Sequence, residues 1–343
     1  MATQYRFSFG PWNLHEGADP FGPPVRPSRS FEEKLQIAQR LGFHGIQFHD
    51  DDVIPADLPA PQMEAAVAVV KRMLEDHGLE AEFIAPRLWE DPRTGDGPVT
   101  SNCAQERAYA IDRSKRAVDI AHMIGTKDIV WWPAREGTYI REAKRATESF
   151  AYMLDYANAL LEYDSSIRIL GEMKPNEPMD LMYMPTTGHF LAFCYKTIDP
   201  SRTGVLIESA HAILAGLDPS DEMAYALWHD KLWSVHLNDQ NGLKYDQDKA
   251  FGTVDIRRAF NQVWVLEQAG YGAKGEWVGL DVKAMRTQPH DIAWRHLENS
   301  KEIFFQLVEV ARRVDPNEIQ DFRDQRDYEG LELLIVKQLM GLR

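Results

Sequence analysis

Cysteine is scarce in this chain: Cys103 and Cys194 are the only two among 343 residues. They form no CxxC or other zinc spacing, and two isolated thiols fit a reducing cytosol. No apolar run is long enough to cross a bilayer. The opening Met-Ala-Thr-Gln-Tyr-Arg has no basic region followed by an apolar run, so no signal peptide and a cytoplasmic setting are expected. Positive charge is also in deficit. Thirty-eight Lys and Arg against 53 Asp and Glu give a net charge of −15. The basic residues are scattered, so neither nucleic acid nor an anionic membrane is an expected partner. Gly10, Gly22 and Gly137 sit in loops without a GxGxxG or P-loop pattern. There is no GxSxG elbow and no HExxH. Dinucleotide-dependent, kinase and serine hydrolase readings therefore have no support.

What is present is a large apolar complement, 44% hydrophobic with 10% aromatic residues, arranged as short β-like runs alternating with longer helical ones. Strands are expected over 6–9, 44–48, 80–84, 127–132, 167–172, 204–208, 232–237 and 277–281. Most of these runs are apolar on both faces, as in a parallel sheet covered on both sides. Ser30-Phe-Glu-Glu33 is a capping box that opens a helix through Gln39. Further helices are expected over 62–77, 106–124, 141–163, 221–229, 254–269 and about 292–314. Eight strands with intervening helices predict an α/β fold, a (β/α)8 TIM barrel over 1–314, whose chemistry sits at the C-terminal strand ends. A polar stretch, 315–327, and an apolar segment, 331–342, make a short C-terminal helical extension over 315–343. That apolar segment is expected to pack on the barrel or on a second subunit.

Four segments carry the chemistry: Phe48-His-Asp-Asp-Asp52, Glu172-Met-Lys-Pro-Asn-Glu177, Glu208-Ser-Ala-His211 and Asn238–Asp248. Glu172, Glu208, His211, His236, Asp246, Asp248 and Asp281 form a candidate ligand set for hard or borderline divalent ions such as Mg2+, Mn2+ or Co2+. Glu208 and His211 are three apart just past a strand, so one turn of chain could aim both at one ion. Asp246 and Asp248 project the same way if their segment is extended. Several carboxylates converging in a barrel mouth repel one another unless cations neutralise them; acidic loops as solvated faces are the bland alternative. Lys174 shares the strand direction of Glu172 and would hydrogen-bond a substrate oxygen, or else form a salt bridge. His49 followed by Asp52 suggests a general base with a fixed tautomer, where a lone strand-end histidine would be structural. Trp12, Trp89 and Trp132 would wall an apolar slot, or belong to the core.

Together these segments resemble the D-xylose (glucose) isomerase family, especially its shorter class, from about Arg6 to Arg286. Further matching stretches are Phe9-Gly-Pro-Trp12, Asp19-Pro-Phe-Gly22, Trp132-Pro-Ala-Arg-Glu-Gly137, His211-Ala-Ile-Leu-Ala-Gly216 and Asp281-Val-Lys283. The resemblance implies two divalent ions. Glu172, Glu208 and Asp281 would hold the first, with Glu208 bridging; Glu208, His211, Asp246 and Asp248 would hold the second. It makes His49 with Asp52 the ring-opening pair, and Lys174 the lysine holding the substrate oxygen beside the migrating hydrogen. Glu177 and Asp248 would assist proton movement. Trp12 and Trp132 become aromatic walls, with Trp89 where the family usually has Phe; Asn238 is grouped with the substrate-binding residues. Phe21 matches a residue inserted into a neighbouring subunit's site. The implied reaction is aldose–ketose interconversion by a metal-assisted hydride shift between C1 and C2.

Several positions depart from the pattern. His236 stands where the family uses Asp on the first ion, which removes one negative charge and shifts the preference toward Mn2+, Co2+ or Zn2+. Pro133-Ala134 replaces Gly-Gly, His15 replaces Trp, and Ala85 and Arg87 alter the strand-3 mouth. The sugar is therefore not specified, and proton-transfer chemistry on a keto-sugar or modified glycoside, by an epimerase or a lyase, is the rival reading. A non-catalytic sugar-binding barrel is the third. The short C-terminal arm leaves a homodimer, a tetramer or a separate partner subunit open.

Overall fold

The computed structural model describes residues 5–342; residues 1–4, read above for a leader, and Arg343 lie outside the described residues. Eight strands close a parallel barrel: β1 (Arg6–Phe9), β2 (Gly45–His49), β3 (Glu80–Ala85), β4 (Asp128–Trp131), β5 (Arg168–Glu172), β6 (Thr203–Glu208), β7 (Leu232–Leu237) and β8 (Trp277–Leu280). Each strand pairs with its sequence neighbours, and β1 closes on β8 with Ser8 opposite Gly279. The expected strands and this topology agree, and the fold is a (β/α)8 barrel. Outward side chains make the main core. Tyr5 and Phe7 meet Phe304 of the helix Arg295–Arg313 edge-to-face at 4.9 and 5.3 Å, and each such buried ring contributes about 1.5–3 kcal/mol. Ser30 caps the helix Phe31–Arg40 reciprocally with Glu33, which fixes where the first crossover begins.

Local differences from expectation have identifiable causes. The helix expected over 141–163 starts at Ala146, after a 3-10 turn at Arg141–Ala143. Between them Lys144 is extended, and its buried ammonium is held by Thr100 Oγ1 at 2.9 Å. The stretch 315–327, read as polar and irregular, contains the helix Pro316–Gln325. Asp315 accepts from the Asn317 amide, and Pro316 occupies the first turn, a start signal independent of apolar periodicity. The last segment is also helical, Tyr328–Leu339, with Ile335 buried but Leu333 and Val336 exposed. An antiparallel pair of two-residue strands, Gly137–Thr138 and Leu181–Met182, ties two mouth loops together. No helix of the described residues is long and apolar enough to cross a membrane. Cys103 is exposed, Cys194 is buried, and both are free.

Two irregularities position the site. In β3 the register against β2 slips between Ile46 and Phe48, so Glu82 and Phe83 together oppose Gln47. A bulge of this kind re-aims side chains. Glu82 hydrogen-bonds Ser234 of β7, while Phe83 packs near the His236 ring and lines the mouth cavity, so both reach into the barrel. The second irregularity is the immediate turn from strand end to short helix at Asp50–Val53 and Ser209–Leu214. These turns carry Asp52 and His211 back over the mouth.

Candidate active site

The C-terminal strand ends surround a cavity of about 400 Å3. On one side, His49 Nδ1 lies 2.8 Å from Asp52 Oδ2, and Asp52 also accepts from the His49 amide at 3.0 Å. Arg87 holds the other Asp52 oxygen at 2.9 Å and bonds Asp51 at 2.7 Å, while Arg113 pairs with Asp50 at 2.9 Å. Burial alone would raise the Asp52 carboxyl, but the His49 hydrogen bond and Arg87 keep it below its ordinary value. The His49 ring packs against Trp12 at 4.2 Å and Trp89 at 5.1 Å, and Trp89 meets Trp132 edge-on at 4.6 Å. All three tryptophans line the cavity.

Across from this aromatic wall, strand register brings acids and imidazoles together. Glu208 is opposite His236 in the β6–β7 ladder. His236 Nδ1 lies 3.2 Å from Glu172 Oε1 and 3.7 Å from Glu208 Oε2. His211 Nε2 lies 3.2 Å from Glu208 Oε1 and 3.1 Å from Asp246 Oδ2. Two donor groups result, Glu172–Glu208–His236 and Glu208–His211–Asp246, each with its donor atoms within 4.8 Å of one another. Glu208 belongs to both.

The residues fit divalent ions on two grounds. Asp246 Oδ1 is buried without a hydrogen-bond partner, and the donors that face one another are carboxylates with imidazole. Electrostatics agrees with this. Burial, with Asp246 and Asp281 nearby, raises the Glu208 carboxyl, and burial with Asp246 raises Asp248 well above its ordinary value. Acids so crowded hold protons or attract cations. Burial would raise Glu172 and Asp246 as well, but His236 holds the first down, and Lys174 with His211 the second.

Lys174 Nζ sits 2.9 Å from Asp246 Oδ2 and 3.1 Å from Glu177 Oε2, beside the Trp132 ring. Burial would lower its pKa, but Asp246 and Glu177 keep the ammonium charged. Asn238 donates to Glu208 at 2.8 Å and to Asp248 at 3.3 Å, and receives the Ala210 amide at 2.7 Å. It therefore fixes the bridging carboxylate.

Asp248 and Asp281 line the cavity but stand outside both donor groups. Asp281 accepts from Trp12 Nε1 at 3.0 Å, and Asp248 is paired with Lys283. The segment Asp246–Asp248 is not extended as the two-carboxylate expectation required, because Asp248 has φ +47°. Its carboxylate consequently turns to Lys283 and Asn238 while Asp246 faces Lys174 and His211. Phe21 does not enter this cavity; it is 79% exposed and packs on Tyr245 at 5.3 Å.

Lys283 and Arg87 were not among the sequence candidates for the site. Lys283 is two residues past Asp281 on the same run, and that spacing was the available signal. Arg87 was read only as altering the strand-3 mouth, and its Asp52 and Asp51 partners lie 35 and 36 positions away.

The fold is shared with solved structures at low identity. A D-tagatose 3-epimerase-like protein superposes with TM-score 0.67 at 16% identity, covering 90% of this chain and 98% of that one. The 3-keto-D-glucoside 4-epimerase YcjR from E. coli gives 0.62 at 15%, with 87% and 100% covered. The IOLI protein, solved with a bound zinc atom, gives 0.61 at 12%, with 88% and 98% covered. At the sequence level, residues 35–299 match the family model described as the xylose isomerase-like TIM barrel. With its closed eight-stranded barrel, this chain belongs to the xylose isomerase-like TIM barrel family.

Proposed function

We propose that this chain is a divalent-metal-dependent sugar isomerase that interconverts an aldose and a ketose by a hydride shift between C1 and C2, on a sugar not restricted to D-xylose. The observation that carries the reading is the pair of donor groups sharing Glu208, in the cavity that also holds Lys174 and the His49–Asp52 pair. Glu172, Glu208 and His236, with Asp281 adjacent, would hold one ion; Glu208, His211 and Asp246, with Asp248 adjacent, would hold a second. When bound, Mn2+, Mg2+ or Co2+ supplies Lewis-acid polarisation of the sugar oxygens.

The chain's own residues do the rest. With Nδ1 engaged by Asp52, His49 offers Nε2 to take the anomeric hydroxyl proton and return it to the ring oxygen. Lys174 donates to O1, the oxygen that gains negative charge as the hydrogen on C2 migrates with its electron pair to C1. The proton lost from O2 ends on O1, and on this reading Glu177 and Asp248 are the acids that pass it. The three tryptophans exclude water from the migrating hydrogen. Residues 1–314 are the catalytic unit and 315–343 the extension on this reading. Exposed Phe21 is the residue a second copy would receive, and a monomer in sedimentation of the full chain removes that role.

Proton-transfer chemistry, giving an epimerase or a lyase, is the second reading. His236 in place of a carboxylate favours it. Proton NMR in D2O of metal-stripped protein resupplied with Mg2+, Mn2+ or Co2+, against aldoses and ketoses, separates the two. Metal-dependent interconversion without deuterium at the migrating position is expected. Deuterium in the product overturns the hydride shift in favour of proton transfer.

A further inference from the structure

Beneath the donor groups lies a polar layer where such barrels are ordinarily packed with branched apolar side chains. Glu82 accepts from Ser234 Oγ at 2.5 Å, from Gln47 Nε2 at 3.1 Å and from Ser8. Gln47 Nε2 also donates to Ser8 Oγ at 3.1 Å. All four residues are at most 2% exposed, and burying this many polar groups has an energetic cost that hydrogen bonds only partly offset. The bulge in β3 admits Glu82 to this layer without displacing Phe83 from the cavity wall.

The layer meets the site at His236. Ser234 is two residues before His236 on the same strand and so shares its face. Gly279 is in register with His236 on β7 and with Ser8 on β1. A Cβ at Gly279 would lie 2.4 Å from Gln47 Nε2 and 2.9 Å from His236 Cδ2, so both side chains close over the space this glycine leaves. Each ends in an orphan: Gln47 Oε1, an acceptor, and His236 Nε2 are buried with no protein partner. The Gln47 amide cannot turn freely, because its nitrogen is committed to Glu82 and Ser8. Meanwhile His236 Nδ1 faces Glu172 and Glu208.

We propose that Gln47 and Glu82 are positioning residues for His236: Glu82 and Ser8 hold the Gln47 amide nitrogen beside the His236 ring, so that its unpartnered oxygen is the acceptor for the unpartnered Nε2–H when Nδ1 binds an ion with Glu172 and Glu208. The inference rests on the metal-site reading above but not on the hydride shift. Partners of this kind fix the tautomer and ring orientation of a ligating histidine, and losing them weakens metal binding about 10–100-fold.

The test is Mn2+ affinity of the full chain, measured by EPR of the free ion, in Gln47→Leu, Glu82→Gln and His236→Ala. Thermal midpoints of the metal-free proteins and histidine 15N NMR of the Zn2+-loaded form accompany it. Gln47→Leu and Glu82→Gln should each weaken one Mn2+ site by about 10–100-fold. The metal-free midpoint should fall modestly for Gln47→Leu, since the buried Glu82 loses one of its three side-chain donors. His236 should be in the Nε2–H form in the unsubstituted protein and lose that uniformity in both variants. Unchanged affinity in both variants overturns the proposal, as does affinity that falls only in step with the metal-free midpoint. If His236→Ala loses the ion while Gln47→Leu keeps it, only the positioning role fails. If the unsubstituted chain and His236→Ala bind Mn2+ alike, the donor group itself is wrong and the positioning role goes with it.

Discussion

The two donor groups share an acid but are built differently. Glu172, Glu208 and His236 stand on three adjacent barrel strands, in a ladder that places Glu208 opposite His236. Asp246 comes from the loop after β7, and His211 from the short helix Ser209–Leu214. Among the described residues no lysine or arginine lies within ion-pair distance of the strand-borne acids, which face only His236 and His211. In the loop-borne group, Lys174 occupies Asp246 at 2.9 Å. A rigid ladder preforms a site, because its side chains keep their positions whether or not an ion is bound. A loop site adapts, and a lysine can hold its place. The first group is thus the structural anchor of the mouth, and the second is where occupancy, substrate and the Lys174 ammonium compete.

The sharpest way to break that division is to remove the shared acid. Glu208→Ala should abolish both Mn2+ sites and lower turnover by at least about 10³-fold, the scale of losing a principal electrostatic stabiliser. Asp246→Ala should leave one Mn2+ per chain, held by the strand-borne group, with turnover also lost. Ion counting by equilibrium dialysis and steady-state rates check both. If Asp246→Ala binds no ion, the two groups are one site and the comparison fails.

Lys174→Met probes the competition directly. Turnover should fall by about 10²–10³-fold, because the donor to the developing oxyanion is gone. The loop-borne ion should bind at least as tightly as before, since the cation facing Asp246 has been removed. Weaker binding of that ion would make Lys174 a structural support of the site and not a competitor.

How legible each part was follows from the same contrast. Strand-borne features were readable because an apolar run ending in an acid or imidazole has one place to go in a parallel barrel. Glu172, Glu208 and His236 needed only strand ends and the direction of the barrel. Loop geometry was not readable: the left-handed backbone at Asp248 parted two carboxylates that the Asp-Gln-Asp spacing seemed to aim together. Arg87, reaching Asp51 and Asp52 from the next strand's loop, leaves no local pattern. The interior layer did leave one, because Ser8, Gln47, Glu82 and Ser234 are polar residues inside largely apolar runs. It was the β3 bulge, invisible in the sequence, that turned Glu82 inward.

The mildest test uses pH. Burial would lower both imidazoles, but Glu172, with Glu208 and Asp281, holds the His236 proton well above the ordinary histidine value. Glu208 and Asp246 raise His211, against Lys174. An ion needs the deprotonated nitrogen, so a raised pKa sets a proton against the metal. Below that pKa affinity should fall by about tenfold per pH unit for each proton displaced. Acidification therefore weakens both sites, and the strand-borne site, with the more strongly raised histidine, should begin to weaken at the higher pH. Mn2+ titrations from alkaline to mildly acidic pH, in Asp246→Ala for the strand-borne ion and His236→Ala for the loop-borne one, read the two slopes separately. A loop-borne site that weakens first would mean that Lys174 does not offset the carboxylates around His211. The strand-borne group would then no longer be the stronger proton trap.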